Sequence, residues 1–311
     1  MKIVVTGCNG RLGQASCEQL LAAGHVVAGI DAVAAAGRPH KVIIDTLLDP
    51  FALHRAFDAL GGSADAVVHL ANHTNSMVAP PEVVLRENGM MNTSVFMAAW
   101  QAGVARVIFA SSIQAMMGGV EADGQQNQRL PSRLPIDETY PGGPTNVYGL
   151  SKILAERSLD LLCDPARFPR GDSVPPMTAV SLRVPFIQPP KGFEMGVVRN
   201  VLTDFIWGGA ECYAYIARDD AAEAVRLAVE APTSGHEVVW CAAPDPRIPE
   251  TIPQLVQRFY RDVPGVEECL RRDSLMNCDK AERMLGWRAT RVMRDERARR
   301  GIPPVVAPAG A

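Results

Sequence analysis

Ile3-Val4-Val5-Thr6-Gly7-Cys8-Asn9-Gly10-Arg11-Leu12-Gly13 is the stretch that decides how the rest of the chain is read. Its first three residues are a short apolar run of the kind that forms a buried strand. Beyond it, Leu12, Ala15, Leu20 and Leu21 recur at roughly helical spacing until Gly24 interrupts the pattern. The three glycines therefore lie on a strand-to-helix turn. Glycine lets a backbone pass close to a bulky group, and the first free N–H groups of the helix then point at that group with partial positive charge. A pyrophosphate meets this description. The groups offered by the turn are those of Gly7, Asn9, Gly10, Arg11, Leu12 and Gly13.

Strand and helix signals alternate from there through two thirds of the chain. Strands are expected at 25–30, 41–44, 66–70, 106–110 and 179–184, with helices at 11–23, about 50–60, about 83–102 and about 146–163. This is the α/β pattern of a doubly wound, Rossmann-like parallel sheet with helices on both faces. A further helix over 219–231 and a strand over 237–240 rejoin the sheet. We therefore expect a dinucleotide-binding domain over 1–187, rejoined by about 212–243, and a smaller C-terminal substrate-binding lobe from 188–211 and 244–290. Residues 117–144 are long, polar and aperiodic, which predicts a lid, a binding loop or disorder. The end, 291–311, reads as a frayed helix and flexible tail whose Arg-rich run is a solvated surface.

Composition narrows the partners. The 311 residues carry 31 basic and 34 acidic side chains, a net charge of -3, which argues against a nucleic-acid or anionic-membrane partner. No apolar run reaches the ~20 residues that span a bilayer. One Lys and three apolar residues before the glycine turn do not make a signal peptide, so a cytoplasmic location is expected. The seven cysteines are scattered without a C-x-x-C pair, which argues against structural zinc or a disulfide framework, and no metal site is expected.

Gly7, Gly10 and Gly13 are spaced G-x-x-G-x-x-G, a variant of the dinucleotide fingerprint G-x-G-x-x-G. Asp31 ends the next strand, 18 residues beyond Gly13. A carboxylate there accepts hydrogen bonds from the ribose hydroxyls of NAD and repels the 2′-phosphate of NADP. The nearest cations, Arg38 and Lys41, stand some way along the chain, so NAD is the expected cofactor. Asp45, ending the third strand, is either an adenine contact or a turn cap.

Tyr148-Gly149-Leu150-Ser151-Lys152 contains Y-x-x-x-K. On a helix these two residues share a face. An ammonium favours the phenolate of a nearby tyrosine, and such a pair can take a proton from an alcohol while a nicotinamide takes the hydride. Ser111-Ser112 end the fifth strand, at the sheet edge where a ligand lies. The same geometry puts His73, Thr74, Asn75, Ser76, Ile113, Gln114, Phe186 and Gln188 beyond strand ends. Of these, His73, Gln114 and Phe186 are the expected substrate neighbours, with His73 otherwise a loop histidine bonded to backbone.

These motifs together resemble the extended short-chain dehydrogenase/reductases, the NAD-dependent epimerase/dehydratase group. The resemblance extends through His69-Leu70-Ala71, Asn88 with Ala98-Ala99, Leu182-Arg183-Val184-Pro185, Asp219-Asp220 and Leu285-Gly286-Trp287. It implies Tyr148 as acid/base, Lys152 as nicotinamide-ribose ligand and tuner of Tyr148, and Ser112 as substrate contact. Leu70, Ala71, Asn88, Ser111 and Pro185 are then expected along the cofactor. It also implies a homodimer through the helices at about 83–102 and 146–163. The apolar segment Val95–Trp100 suits that, and suits a buried core helix equally.

The chain departs from the family in two places. An aromatic wall is missing at Ala115-Met116-Met117-Gly118, and no basic residue stands in Gly208-Gly209-Ala210-Glu211-Cys212-Tyr213-Ala214, where nucleotide-sugar members hold a diphosphate. The expected activity is therefore hydride transfer at a carbinol carbon of a sugar or nucleotide sugar. The alternatives are a free-sugar or uronate-type dehydrogenase releasing NADH, and an NAD-sensing regulator without chemistry. The last requires a broken Tyr/Lys pair, and the pair is intact.

Overall fold

The computed structural model describes residues 1–118, 129–171, 173–199 and 208–303. Parts of the expected loop, lobe and tail (119–128, 200–207 and 304–311) lie outside them. In chain order the elements are β1 (Lys2–Thr6), α1 (Arg11–Ala22), β2 (Val26–Asp31), β3 (Lys41–Ile44), α2 (Ala52–Asp58), β4 (Ala66–His69), α3 (Pro81–Gln101), β5 (Arg106–Ser112), α4 (Val147–Leu162) and β6 (Thr178–Val184). There follow β7 (Phe186–Gln188), α5 (Pro190–Val198), β8 (Tyr215–Ala217), α6 (Arg218–Glu230), β9 (His236–Trp240), α7 (Ile252–Leu255), α8 (Val266–Arg272), α9 (Asp279–Leu285) and α10 (Met293–Arg299).

Seven strands form one parallel sheet in the order β3-β2-β1-β4-β5-β6-β9, and β7 pairs with β8 in a small second sheet. The alternation of side chains along β1 shows why. Ile3 and Val5 enter one core with Leu20 of α1 and Ala221, Ala224 and Val225 of α6, while Val4 enters the opposite core with residues of α2, α3 and α4. A strand apolar on both faces is stable only with helices on both sides. The Val95, Phe96, Ala98 and Ala99 side chains are buried in that second core, so one chain alone accounts for the apolar segment of α3. Strand order reverses between β1 and β4, and the glycine turn after β1 opens onto that crevice.

The structure departs from the expectation in three ways. Residues 129–144 are packed rather than loose. Leu134, Ile136 and Tyr140 join Trp240, Ile252, Tyr260 and Met276 in the core of the lobe, and the Leu134 and Ile136 N–H groups donate to the carbonyls of Pro264 and Leu275. The lobe is also narrower than 244–290, because Ala281, Leu285 and Trp287 pack into the sheet core and Trp287 Nε1 donates to the Asp220 carbonyl.

The third departure is a correction to the frayed, solvated tail. Met293 is buried against Phe193 and Val197 of α5, and the Arg297 guanidinium is buried, donating to the carbonyls of Val197 (2.9 Å), Gly196 (2.6 Å) and Arg199 (3.3 Å). Asp220 accepts from Thr290 and Arg291, and Tyr215 and Asp245 accept from the Met293 and Arg294 N–H groups. A charge pattern shows that a helix is basic, not that one guanidinium has found free carbonyls. Replacing Arg297 with Ala leaves those carbonyls without their donors, so urea unfolding should show a loss of about 1–3 kcal/mol. An unchanged midpoint and slope would show that α10 is not held this way.

Candidate functional site

The glycine turn is shaped by steric limits. Gly7 has φ +66°, and a Cβ on it would stand 2.9 Å from the Ala71 nitrogen. A Cβ on Gly13 would stand 2.0 Å from the Gly7 carbonyl oxygen. Thr6 holds the other wall. Its hydroxyl accepts from the N–H groups of Leu70 and Ala71 and meets His69 Nδ1 at 2.7 Å. Asn92 Oδ1 accepts from Asn72 Nδ2 and therefore accepts from His69 Nε2 as well, which leaves Nδ1 to accept the Thr6 proton. Burial pushes the His69 pKa down to about 3, so this ring is a neutral strut.

Helix α1 starts at Gly10 with no side-chain cap, so its first N–H groups face the crevice with only the glycines around them. Asp31 stands beside this turn. Its Oδ2 accepts the Asn9 N–H (2.8 Å) and its Oδ1 the Val33 N–H (2.9 Å), and each oxygen keeps a lone pair for a ribose hydroxyl. Leu70 and Ala71 line the opposite wall. A bare backbone cradle, an uncapped helix start and an acceptor carboxylate together fit a dinucleotide. One cation is nearer than its place in the chain implies: Arg38 Nε donates to Asn9 Oδ1 at 2.9 Å because the loop after β2 folds back over the turn.

The second cluster lies where β5 meets α4. Ser111 and Ser112, adjacent on a strand, point to opposite faces. Ser112 lies near enough to the Tyr148 hydroxyl to oppose the rise of its pKa, while Ser111 donates to Glu156 Oε1 at 2.6 Å, inside the protein. Asn146 caps α4 by accepting the Gly149 N–H, and Asn146 in turn donates to Gln114 Oε1. Lys152 Nζ lies 5.5 Å from the centre of the Tyr148 ring and donates to Asn72 Oδ1 and the Ala110 carbonyl, both at 2.7 Å. Burial pushes the Lys152 pKa down to about 7, against an opposing pull from Glu156. Burial pushes the Tyr148 pKa up to about 12; the nearby Ser112 hydroxyl opposes this and the charge of Glu211 adds to it. Burial thus moves the tyrosine in the direction opposite to the expected lowering by the lysine.

Several expected site residues have other partners. Asn88 is fully buried, accepting the His73 N–H (2.8 Å) and donating to Ser151 Oγ, so it braces the loop after β4. Ser111 is likewise turned away from the cofactor crevice. His73 points its Nε2 at Glu87 Oε2, 2.7 Å away on α3. Asp45 accepts from the Thr46 N–H and from Arg55, which is the turn-capping role of its two readings. Pro185 is buried where β6 passes into β7, and Phe186 beside it is 48% exposed. Sequence reasoning missed Asn72, Glu156, Glu211 and Arg247. Only Glu156 carried a signal, one helical turn beyond Lys152 on the same face.

Two measurements test this geometry. Gly13→Ala should lower the melting temperature and abolish NAD binding, whereas Gly89→Ala should stabilise by about 0.5–1 kcal/mol. Gly89 lies within α3 with nothing within 4 Å of its added carbon; equal effects of the two changes would refute the steric reading. Lys152 titrates near 7 in the fold but near 10.4 in an unfolded chain, so between those values the unfolded state binds more protons and stability rises with pH. With no cofactor added, the stability of the wild type relative to Lys152→Met should be flat below about pH 7 and grow between about 7 and 10. A flat difference throughout would show an ordinary lysine.

Comparison with known proteins completes the picture. The model of the NAD dependent epimerase/dehydratase family matches residues 3–241. The UDP-glucose 4-epimerase of Bacillus subtilis is 28% identical over 174 residues, 51% of this chain and 47% of that protein. The uronate dehydrogenase of Pseudomonas syringae is 31% identical over 158 residues, 50% and 51% of the two chains. The match thus spans about half the length of these curated relatives. Among solved structures, the Thermus thermophilus UDP-glucose 4-epimerase in complex with NAD superposes with a TM-score of 0.65 at 20% identity, over 96% of this chain and 99% of that one. The uronate dehydrogenase of Agrobacterium tumefaciens gives 0.61 at 20% identity, over 99% and 90%. At such identities the superpositions speak for the fold, while the family match extends from β1 to the end of β9 and takes in both clusters. The chain belongs to the NAD-dependent epimerase/dehydratase family, of which NAD is the cofactor.

Proposed function

We propose that this protein is an enzyme that removes a hydride from a carbinol carbon of a sugar or sugar derivative, with Tyr148 as the acid/base. The observation that carries this reading is the placement of Tyr148 near Ser112, with Lys152 Nζ 5.5 Å from the tyrosine ring, at the carboxyl end of β5. It lies on the same sheet edge as the glycine cradle, two strands away through β4. Gly7, Gly10, Gly13 and the start of α1 would hold the diphosphate of NAD, Asp31 its adenosine ribose, and Leu70 and Ala71 the wall beside it. Bound NAD supplies the hydride acceptor and, in its oxidised form, a cationic ring that favours anionic neighbours.

The chain's own groups supply the rest. A carbinol oxygen bound between Ser112 and Tyr148 would bond to both hydroxyls. Tyr148 then receives the carbinol proton as the carbon loses its hydride, and returns it in the reverse direction. Lys152, fixed by Asn72 and the Ala110 carbonyl, is set to bond a ribose hydroxyl and to support the ionised phenol with whatever charge it carries. Seclusion from water disfavours the charged form of both groups, and a bound ligand changes those surroundings.

Tyr148→Phe should lower turnover about 10²–10⁴-fold while the dissociation constant for NAD stays within about threefold. Absorbance of NADH against a panel of sugars, sugar acids and nucleotide sugars reads the outcome. Net NADH formation identifies a dehydrogenase, and product change without it an epimerase. Unaltered turnover in the Phe variant would sink the mechanism, and a protein that binds NAD but turns over no member of the panel would favour a sensing role.

A further inference from the structure

A chain of side chains, most of them buried, joins the wall of the cofactor crevice to Lys152. Thr6 Oγ1 accepts the Ala71 N–H at 3.2 Å and shares the Leu70 N–H, also at 3.2 Å, with the Thr6 carbonyl. Those two donors take the lone pairs of the hydroxyl, so its own proton goes to His69 Nδ1, 2.7 Å away. The ring is neutral, and a neutral ring that accepts at Nδ1 carries its proton on Nε2. Nε2 donates to Asn92 Oδ1 at 2.9 Å, and Asn72 Nδ2 donates to the same oxygen at 3.0 Å. An Asn72 amide that donates there turns its carbonyl to Lys152, whose Nζ donates to it at 2.7 Å.

Every step has one direction, and the backbone at Leu70 and Ala71 sets it. Reversing the chain would ask the Thr6 oxygen to accept three N–H groups. The direction is kept at a cost. Asn92 is 3% exposed, and its Nδ2 is enclosed with no partner among the described residues. Turning that amide over would point Nδ2 at two donors. The His69 ring is held in place by Phe96 and Phe109, with ring centres 5.6 and 5.8 Å away.

At the far end, Asn72 Oδ1 and the Ala110 carbonyl each take an N–H of Lys152, and the Phe109 ring centre lies 4.7 Å from its nitrogen. An ammonium then has one N–H left, and a neutral amine one lone pair. Either can meet a ribose hydroxyl, which both donates and accepts. The ionisable groups about this nitrogen are Tyr148 and Glu156 on α4, His69 on β4 and, through Glu156, Arg183 on β6. Glu87 of α3 is paired with His73. Among these neighbours, Asn72 is the one whose orientation is set from the cofactor wall.

We infer that Thr6 and Asn72 are positioning residues for Lys152. The Thr6 hydroxyl, through His69 and Asn92, fixes the Asn72 amide so that Lys152 meets an acceptor there and keeps one place on its nitrogen for the ribose. The inference deepens the proposed reaction, and rests on it for the ribose alone.

Nuclear magnetic resonance on the protein without cofactor tests the chain with no turnover, and six histidines and five lysines keep the spectra simple. Imidazole nitrogen shifts should show His69 protonated on Nε2 and bare at Nδ1, and the labelled Cε of Lys152 reports its titration. Asn72→Leu keeps the shape and removes the acceptor, so the Lys152 midpoint should fall by about one pH unit. It should also weaken NAD binding about three- to tenfold, the worth of one hydrogen bond. Thr6→Val frees the ring to carry its proton on either nitrogen. The two His69 shifts should then move toward each other and the Lys152 midpoint should fall, while Thr6→Ser keeps both as in the parent. A proton on Nδ1 in the unsubstituted protein overturns the inference. So does a Lys152 midpoint that Asn72→Leu or Thr6→Val leaves unmoved, or an NAD affinity that Asn72→Leu leaves unchanged. The parent tautomer and the Asn72→Leu midpoint decide the matter even if Thr6→Val does not fold. Failure of the proposed chemistry is read separately, from the turnover of Tyr148→Phe.

Discussion

The ion pair between Glu156 and Arg183 is the interaction on which the site's geometry rests. Arg183 Nε and Nη2 donate to the two carboxylate oxygens at 3.0 and 2.7 Å, and Ser111 completes the acceptor set at 2.6 Å. Both charged side chains are buried. The pair joins α4 to the ends of β5 and β6, where Ser111 stands opposite Arg183 in the strand register. Removing one partner of such a pair costs about 3–5 kcal/mol, because the other charge is left buried alone. The geometric consequence matters more than the energy. Lys152 and Tyr148 lie one and two helical turns before Glu156, so the pair fixes how far α4 slides along the sheet. A shift of one residue on β5 would exchange Ser112 for Ser111 at the tyrosine.

The same pair bears on charge. Lys152 is surrounded by low-polarity structure that disfavours its ammonium, and Glu156 supplies the opposing field. Desolvation wins, which is the expected result when the carboxylate is itself bound by an arginine and a hydroxyl. Burial is the largest influence on the tyrosine, and the charge of Glu211 adds to it. Water-poor surroundings make each later interaction stronger, so a charged ligand has more effect here than on an open surface.

The layering of the fold was plain from sequence because it depends on periodicity. Ile3-Val4-Val5 can be buried on both faces only between two layers of helices, and each later strand repeats that statement. Gly7, Gly13 and Asp31 were legible because turns and strand ends have local rules. The partners of Asn88, Ser111 and His73 were not, because a polar residue's partner is set by three-dimensional neighbours. Asn88 faces Ser151, 63 residues on, and Ser111 faces Glu156, 45 residues on. The C-terminal helix was misjudged in one residue for the same reason: Arg291, Arg294, Arg299 and Arg300 are exposed as read, but Arg297 lies under the carbonyls of α5.

Arg247 shows why the missing signal concentrates in the lobe. The sheet repeats one strand-helix unit, so a residue's place in the unit states its place in space. The lobe is assembled from pieces of four separate stretches, with Met116 and Met117, Leu134 and Ile136, Tyr213, and Ile248 to Met276 sharing one core. No period relates these pieces, and a side chain from one can stand over the backbone of another. A cation is therefore absent from 208–214 in the sequence and present above it in the fold, because Gly208 leaves room for a guanidinium from 39 residues further along. The chemistry sits on the regular part of the molecule, where geometry is inherited from the sheet. The lobe is the irregular part, where a glycine in one segment decides which side chain of another can enter.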